Sequence, residues 1–280
     1  MPSTNLLKTD SPSISAPGRR AVVLSAGTLY HLKLSESFEI AAASGFDGVE
    51  LIINTIFEDG NPHRIIEKLL KICPILSIHA PFFKLRGWGH GGQALIRCIE
   101  LARDFEIPLV NFHPPLWLPP EFKFYRWFKK IRDYQKLVEN SRVLVTIENM
   151  PYVGRRVRFN PNILKKSEDM LRFIEEHNLF MTFDTTHIGS HNPNFLGEFQ
   201  RLLATGRIRN IHFSDYGHQR EHLFPGRGIL PLTRFLYLLK VRDYRGAVTL
   251  ELSPRELPQQ QKLIIESLSE VCDYLKSELL

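Results

Sequence analysis

The chain predicts an α/β fold, a single (β/α)8 barrel, and three observations carry that expectation. Six short β-branched runs each end in a histidine or a carboxylate. They end at His79, His113, Glu148, Asp184, His212 and Glu251. The gaps between them are roughly 30–40 residues, the length of one strand plus a crossover helix. The length of 280 residues suits one barrel of this kind with a sizeable core. Such runs read as strands buried on both faces of a parallel sheet. A potential ligand at the C-terminal end of each places the chemistry on the rim, where strands hand over to βα loops.

Eight βα units follow in order. The first strand is Ala21–Ala26, and its helix runs from the cap-like Ser35 to Ser44, stopped by Gly45. The second strand is Gly48–Ile53, and its helix starts after Asn61-Pro62, with proline at the first helical position. The third strand ends at His79 and its helix spans about 93–105. The fourth ends at His113, followed by a loop rich in proline and aromatics and a helix to about Asn140. The fifth ends at Glu148, and its helix starts at Ser167 with Glu168 and Asp169 in the first turn, as the helix dipole favours. The sixth ends at Asp184, with a helix over about 195–205. The seventh ends near Phe213, with a long loop to Gly228 and a short helix. The eighth is Ala247–Leu252, and a last helix covers about 259–279. Met1 to Pro17 are rich in Ser, Pro and Thr, so residues 1–18 read as a disordered tail and 19–280 as the barrel.

Composition excludes several classes. No stretch approaches the ~20 apolar residues of a membrane span. Arg19-Arg20 precedes an apolar run, but Ala21–Ala26 is too short for an export signal and serves as a strand. Cys73, Cys98 and Cys272 are odd in number and widely spaced, which reads as reduced thiols in a cytoplasmic protein. The net charge of +6 favours an anionic partner without naming one.

On the rim, Glu148, Asp184, His212 and Glu251 come from neighbouring strands and form a mixed oxygen and nitrogen donor set. That set suits a divalent ion such as Mn, Zn, Mg or Co. His79, His113, His187 and His222 can reach the same mouth, as further metal ligands or substrate contacts. A capping or packing role is the plain alternative for any one of them.

The segments Ser77-Ile78-His79-Ala80-Pro81, Asn111-Phe112-His113-Pro114, Ile147-Glu148-Asn149, Asp184-Thr185-Thr186-His187, Ile211-His212-Phe213-Ser214-Asp215, Glu221-His222-Leu223-Phe224-Pro225-Gly226-Arg227-Gly228 and Leu250-Glu251 resemble the xylose-isomerase-like TIM-barrel superfamily. That superfamily includes sugar and sugar-phosphate isomerases and epimerases, and endonuclease IV. The resemblance covers nearly all of the chain after the tail. It implies one metal on Glu148, Asp184, His212 and Glu251, with Glu148 and Glu251 also moving protons and His187 touching substrate. In endonuclease IV, similar positions hold three zinc ions, with His79, His113, His187 and His222 as added ligands. That pattern has an aspartate two residues before the histidine matching His222, where this chain has Arg220. It also has a cysteine in the segment matching Asp184–His187, where this chain has threonine. Asp215, or water, is a candidate to compensate.

Loops over the mouth carry Lys84 and Arg86, Arg155, Arg156 and Arg158, and Arg220 and Arg227. Guanidinium groups suit phosphate or carboxylate, so Arg220 and Arg227 read as substrate-binding, against the alternative of solvated loop charges. Glu50, ending the second strand, is a substrate residue, a support for the site, or a structural carboxylate. The block from Phe122 to Lys130 interleaves aromatics and cations, which reads either as base stacking or as a helix packing its aromatics inward.

The expectation is thus a metal-dependent sugar or sugar-phosphate isomerase or epimerase acting on a small anionic or sugar substrate. The alternative is a multi-metal phosphodiesterase of the endonuclease IV type, the one reading that brings nucleic acid in as partner. A catalytically silent binding barrel is the third.

Overall fold

The computed structural model describes residues 20–139, 141–152 and 160–279. The proposed tail and Arg155, Arg156 and Arg158 lie outside the described residues. The elements are β1 (Ala21–Ser25), α1 (Leu34–Ala43), β2 (Gly48–Ile52), α2 (Ile56–Asp59), α3 (Pro62–Leu70), β3 (Ile75–His79), α4 (Gly91–Asp104), β4 (Leu109–Phe112), α5 (Phe122–Lys130), β5 (Leu144–Glu148), α6 (Ser167–Glu176), β6 (Phe180–Asp184), α7 (Thr185–Gly189), α8 (Phe195–Leu203), β7 (Ile208–Phe213), β8 (Asp215–Gly217), β9 (Arg220–Leu223), α9 (Leu232–Val241), β10 (Ala247–Leu250) and α10 (Gln261–Leu279).

Eight strands close into a parallel barrel in the order β1-β10-β7-β6-β5-β4-β3-β2. All eight expected strands are present. Among the expected site residues His79, Glu148 and Asp184 end β3, β5 and β6, His212 is the last but one of β7, and His113 and Glu251 lie one residue beyond β4 and β10. The helices form where their signals stand. Asn61 caps α3 by accepting from the amides of His63 and Arg64, with Pro62 behind it. Gly45 ends α1 in the left-handed region, at φ +81°.

Several boundaries differ, each for a local reason. Ala26 leaves the first strand for a 3-10 turn over Ala26–Leu29, which Ser25 caps by accepting from Gly27 N–H. The helix expected to reach Asn140 stops at Lys130. There the chain turns to bury Tyr134, whose hydroxyl donates to the Phe128 carbonyl at 3.0 Å, and Asp133 caps a following 3-10 turn. Two short helices, α2 and α7, occupy βα loops and carry too few residues to show a period. The loop after β7 contains a hairpin, β8–β9, turning through His218 and Gln219 at φ +51° and +59°.

The aromatic and cationic block packs inward. Phe124 and Phe128 of α5 are buried, and Phe128 stacks on Phe173 with ring centroids 4.3 Å apart. Lys123, Lys129 and Lys130 are exposed. α5 lies against the start of α4 so closely that a Cβ on Gly91 or Gly92 would meet the Phe124 or Trp127 ring at about 2.5 Å. Among the described residues no helix is long and apolar enough to cross a membrane.

The barrel interior departs from the usual branched aliphatic filling. Ser77, Asn111, Thr146, Thr182, Asn210 and Thr249 are all buried, one on each of six strands. Each stands two residues before a rim residue: His79, His113, Glu148, Asp184, His212 or Glu251. A strand repeats its facing every two residues, so each polar residue lies directly beneath its rim partner. The layer is hydrogen-bonded within itself. Thr146 reaches Asn111 Oδ1 at 3.2 Å and the Thr182 hydroxyl at 2.8 Å, and Thr249 donates to Asn210 Oδ1 at 2.8 Å.

Candidate metal centre

The rim residues meet in three overlapping donor sets. Glu148, Asp184, His212 and Glu251 form the central one, with one donor atom from each lying within 4.8 Å of the others. His79, His113 and Glu148 form a second, and Asp184, His187 and His222 a third. Glu148 and Asp184 are each shared between two sets.

Hydrogen bonds settle which nitrogen of each ring faces inward. His79 Nδ1 donates to the Ala80 carbonyl at 2.8 Å, which leaves Nε2 toward Glu148 Oε2 at 3.3 Å. In the neutral ring Nε2 is an acceptor, so it and the carboxylate need a cation between them, either a proton or a metal. His187 Nδ1 donates to the Asn149 carbonyl at 2.8 Å. His212 Nε2 is held by Glu50, and its Nδ1 faces Glu251 Oε2 at 2.8 Å, Glu148 Oε2 at 3.4 Å and Asp184 Oδ2 at 3.8 Å. His222 adopts φ +57°, an uncommon backbone for a non-glycine residue, and its ring lies edge-on to His187 at 5.4 Å. Ser214 supports it through a 3.3 Å contact to Nδ1.

The ionisation of these groups follows from their crowding. Burial pushes the Glu148 carboxyl up, but His212, His113 and His187 beside it outweigh burial and hold it well below the usual carboxylate range. Glu251 is held down in the same way, against burial, chiefly by His212. Burial would lower His212, yet Glu50, Glu148 and Glu251 together keep it well above its ordinary value. His187 is pushed up to about 10, burial being outweighed by Asp184 and Glu148. His113 is lowered, because burial outweighs the attraction of Glu148. The cluster is a concentration of negative charge that recruits protons where no other cation is present.

These residues fit a divalent ion. Among the described residues the buried Asp184 Oδ2 has no hydrogen-bond partner, and it faces His212 Nδ1 at 3.8 Å within the central set, where that nitrogen is also crowded by Glu251 and Glu148. Burying unpaired polar atoms is costly, and a cation between them removes that cost. Three carboxylates and one imidazole are donors that Mn, Mg, Zn or Co accept.

Other expected site residues stand apart from this centre. Glu50 is wholly buried beneath His212. Arg220 and Arg227 converge on the buried carboxylate of Glu256, with Arg227 Nη1 at 3.2 Å from Oε2. Arg86 is paired with Asp59 and Glu58. Asp215 is turned away from the histidines. Its carboxylate accepts from the amides of Tyr216, Gly226, Gly228 and Leu230 at 2.8–3.1 Å, which closes the loop after the hairpin and leaves it no role as a metal ligand.

Asn111 and Asn149 are site residues that the sequence reading did not single out. Asn111 Nδ2 donates to Glu148 Oε2 at 2.7 Å, and Asn149 brackets the Asp184 backbone. The signal for Asn111 was in the chain: a polar residue two positions before every rim ligand.

The chain is similar to proteins of known structure across nearly its whole length. D-allulose 3-epimerase from Methylomonas sp. superposes with a TM-score of 0.68 at 15% identity, covering 94% of this chain and 99% of that one. A D-tagatose 3-epimerase-like protein superposes at 0.67 with 22% identity, covering 92% and 98%. The IolI protein, solved with a bound zinc atom, superposes at 0.71 with 15% identity, covering 93% and 99%. By sequence, an uncharacterised protein of Mycobacterium leprae is 27% identical over 288 residues, covering 91% of this chain and 97% of its own. The family model of the xylose isomerase-like TIM barrel matches residues 38–278, and the chain belongs to that family.

Proposed function

We propose that this barrel is a divalent-metal-dependent isomerase or epimerase of a sugar. The observation that carries the reading is the central donor set, in which Asp184 Oδ2 is buried without a hydrogen-bond partner among the described residues and His212 Nδ1 is crowded by the carboxylates of Glu251, Glu148 and Asp184. The neighbouring structures of sugar epimerases support it.

A bound divalent ion would supply Lewis-acid polarisation of a substrate's carbonyl and hydroxyl oxygens. The chain's own residues do the rest. Glu251 is the more open of the two glutamates, with 19% of its side chain exposed against 1% for Glu148. It takes the proton from the carbon beside the carbonyl, and Glu148 acts from the other side of the set. His187, held by the Asn149 carbonyl, presents its other nitrogen as a donor to a substrate oxygen. Phe82 is 58% exposed, stacks on His113 at 5.8 Å and meets His79 edge-on, offering an apolar wall to the carbon face of a sugar. Arg220 and Arg227, drawn to Glu256, brace the hairpin that carries His222; a phosphate on the substrate is not required by this assignment.

The two further histidine sets favour a second reading, multi-metal phosphodiester hydrolysis, because each shares a carboxylate with the central set. Arg220 pointing to Glu256 and Asp215 bound to four amides leave the third set with three donors, which weighs against it.

The test is incubation of the metal-loaded protein with ketoses and ketose phosphates in D2O, reading deuterium at the carbon beside the carbonyl, alongside metal content by elemental analysis. Deuterium incorporation with about one ion per chain supports the isomerase. Two or three ions per chain with cleavage of abasic duplex DNA and no exchange would overturn it.

A further inference from the structure

Beneath the ligand layer the barrel buries one carboxylate among neutral groups. Glu50 of β2 is 0% exposed, and the polar residues that share its depth are Ser77, Asn111, Thr146, Thr182, Asn210 and Thr249. A neutral amide or hydroxyl closes the layer on each of those strands. A carboxylate in the same place bears a desolvation cost that a neutral residue avoids, and its charge demands a partner.

The partner is His212. Glu50 reaches across the barrel interior from β2 to β7, which are separated in the wall by β1 and β10. Its two oxygens lie 3.1 and 3.2 Å from His212 Nε2. Ser77 Oγ donates to Glu50 Oε2 at 3.1 Å, and Asn210 Nδ2 is 3.5 Å from the same oxygen. Ser77 thus holds the carboxylate from β3 and Asn210 from β7, the strand of His212 itself. The remaining face of His212 presents Nδ1 to Glu148, Asp184 and Glu251.

We propose that Glu50 is a positioning residue for His212. Its carboxylate accepts a hydrogen bond from Nε2–H, so Nδ1 is the nitrogen with the free lone pair, and it fixes the ring plane toward the central donor set. Its negative charge also raises the basicity of the ring. A carboxylate behind a ligating histidine is a general device for tuning metal affinity, and its loss typically costs 10- to 100-fold. The inference rests on the metal site proposed above but not on the sugar chemistry. Glu50 itself touches no substrate.

The experiment uses the full chain stripped of metal with a chelator, as wild type, Glu50→Gln and Glu50→Leu. Mn2+ and Zn2+ affinities are measured by calorimetry and by competition with a chromophoric chelator. Glu50→Gln keeps an acceptor for Nε2–H but loses the charge, and about tenfold weaker binding is expected. Glu50→Leu loses both, and about 100-fold is expected. The glutamine is nearly isosteric, so it reports even if the leucine variant does not fold. A second readout needs no metal: 15N NMR of the histidine rings at alkaline pH. Wild type should show His212 as the Nε2–H tautomer, and Glu50→Leu a mixture. In a His212→Asn background, Glu50→Gln should produce no further loss of affinity. Wild-type affinity and wild-type tautomer in folded Glu50→Gln and Glu50→Leu would overturn the role of Glu50 alone. Failure of the wild type to bind either ion would overturn the metal site beneath it, and the inference with it.

Discussion

Asn149 grips the backbone of Asp184 from both sides. Its Oδ1 accepts the Asp184 amide at 2.9 Å and its Nδ2 donates to the Asp184 carbonyl at 3.0 Å. The side-chain amide thereby continues the β5–β6 pairing one step past the end of β5, where a loop begins. It also places the Asn149 carbonyl to receive His187 Nδ1. One residue therefore aligns a proposed metal ligand and a proposed substrate contact.

Asn149→Ala should leave the Asp184 amide and carbonyl without partners. Buried unsatisfied groups cost about 1–3 kcal/mol, so a loss of that order is expected in urea unfolding. Divalent-ion affinity should fall as well, because Asp184 loses its alignment. Calorimetry on the folded variant checks this, and unchanged stability and affinity would show the bracket to be incidental.

Metal should stabilise the fold by mass action. At an ion concentration 100 times the dissociation constant, the gain is about 2.7 kcal/mol, read as a rise in Tm over the chelated protein. Glu148→Ala with Glu251→Ala should abolish that rise while the far-UV circular dichroism stays that of the barrel, since these residues cap the core and do not fill it. The metal-free double variant should melt below the metal-free wild type, because it leaves the buried Asn111 amide and His212 ring without the carboxylates they pair with. Retention of the full metal-dependent rise would sink the assignment of both glutamates.

The thiols give a prediction about alkaline pH. Cys98 and Cys272 are fully buried, and burial pushes Cys272 up to about 11 and raises Cys98 and Cys73 as well. An unfolded cysteine titrates near 8.5. Between about 8.5 and 11 the native chain keeps protons that the unfolded chain releases. The unfolded state binds fewer protons there, so stability falls as pH rises through that window. Tyr134 and Tyr244, both raised by burial, add the same sign above about 10. The urea midpoint should be lower at pH 10 than at pH 8, and a Cys98→Ala, Cys272→Ser pair should flatten part of the slope. Rapid native-state labelling by a thiol reagent at pH 8 would contradict the burial.

The barrel was legible because each buried strand leaves a β-branched run and each rim residue a ligand type. Those are local signals, repeated at one spacing. The ligand sets were legible from the same ends of strands. What escaped lies between elements. The helix after β4 stops at Lys130 because Tyr134 must reach the Phe128 carbonyl, a tertiary demand with no local mark. Arg220 and Arg227 looked like free cations because Glu256, about 30 residues on, gives no sign in sequence that it folds back between them. Asp215 looked free for a metal because the amides it accepts from come together in three dimensions only. The polar layer is written in the chain as Ser-Ile-His, Asn-Phe-His, Thr-Ile-Glu, Thr-Phe-Asp, Asn-Ile-His and Thr-Leu-Glu, yet a hydroxyl or amide two residues before a ligand carries no local mark of burial, since its partners come from neighbouring strands.

The hairpin β8–β9 yields the last prediction. Arg220 occupies the position where an aspartate would favour a third metal, so Arg220→Asp is the obvious route to a higher metal content. The structure argues otherwise. Residue 220 points to Glu256, which is 7% exposed as a residue and also takes Arg227 and lies 3.4 Å from the Phe224 amide. An aspartate there would face a buried carboxylate, and like charges in a partly buried place repel. The expected outcome is a hairpin that opens, with faster proteolysis near His218 and Gln219, and no added ion by elemental analysis. The turn itself is open to improvement. His218 and Gln219 both hold left-handed backbones, which a two-residue hairpin of this kind demands and which Asn-Gly accepts at lower cost. His218→Asn with Gln219→Gly should therefore slow cleavage of the hairpin and, placed in the Arg220→Asp background, restore part of its protection. An Arg220→Asp protein that keeps wild-type protease resistance and gains an ion would show that residue 220 can turn toward His222 after all, and would return the multi-metal reading to first place.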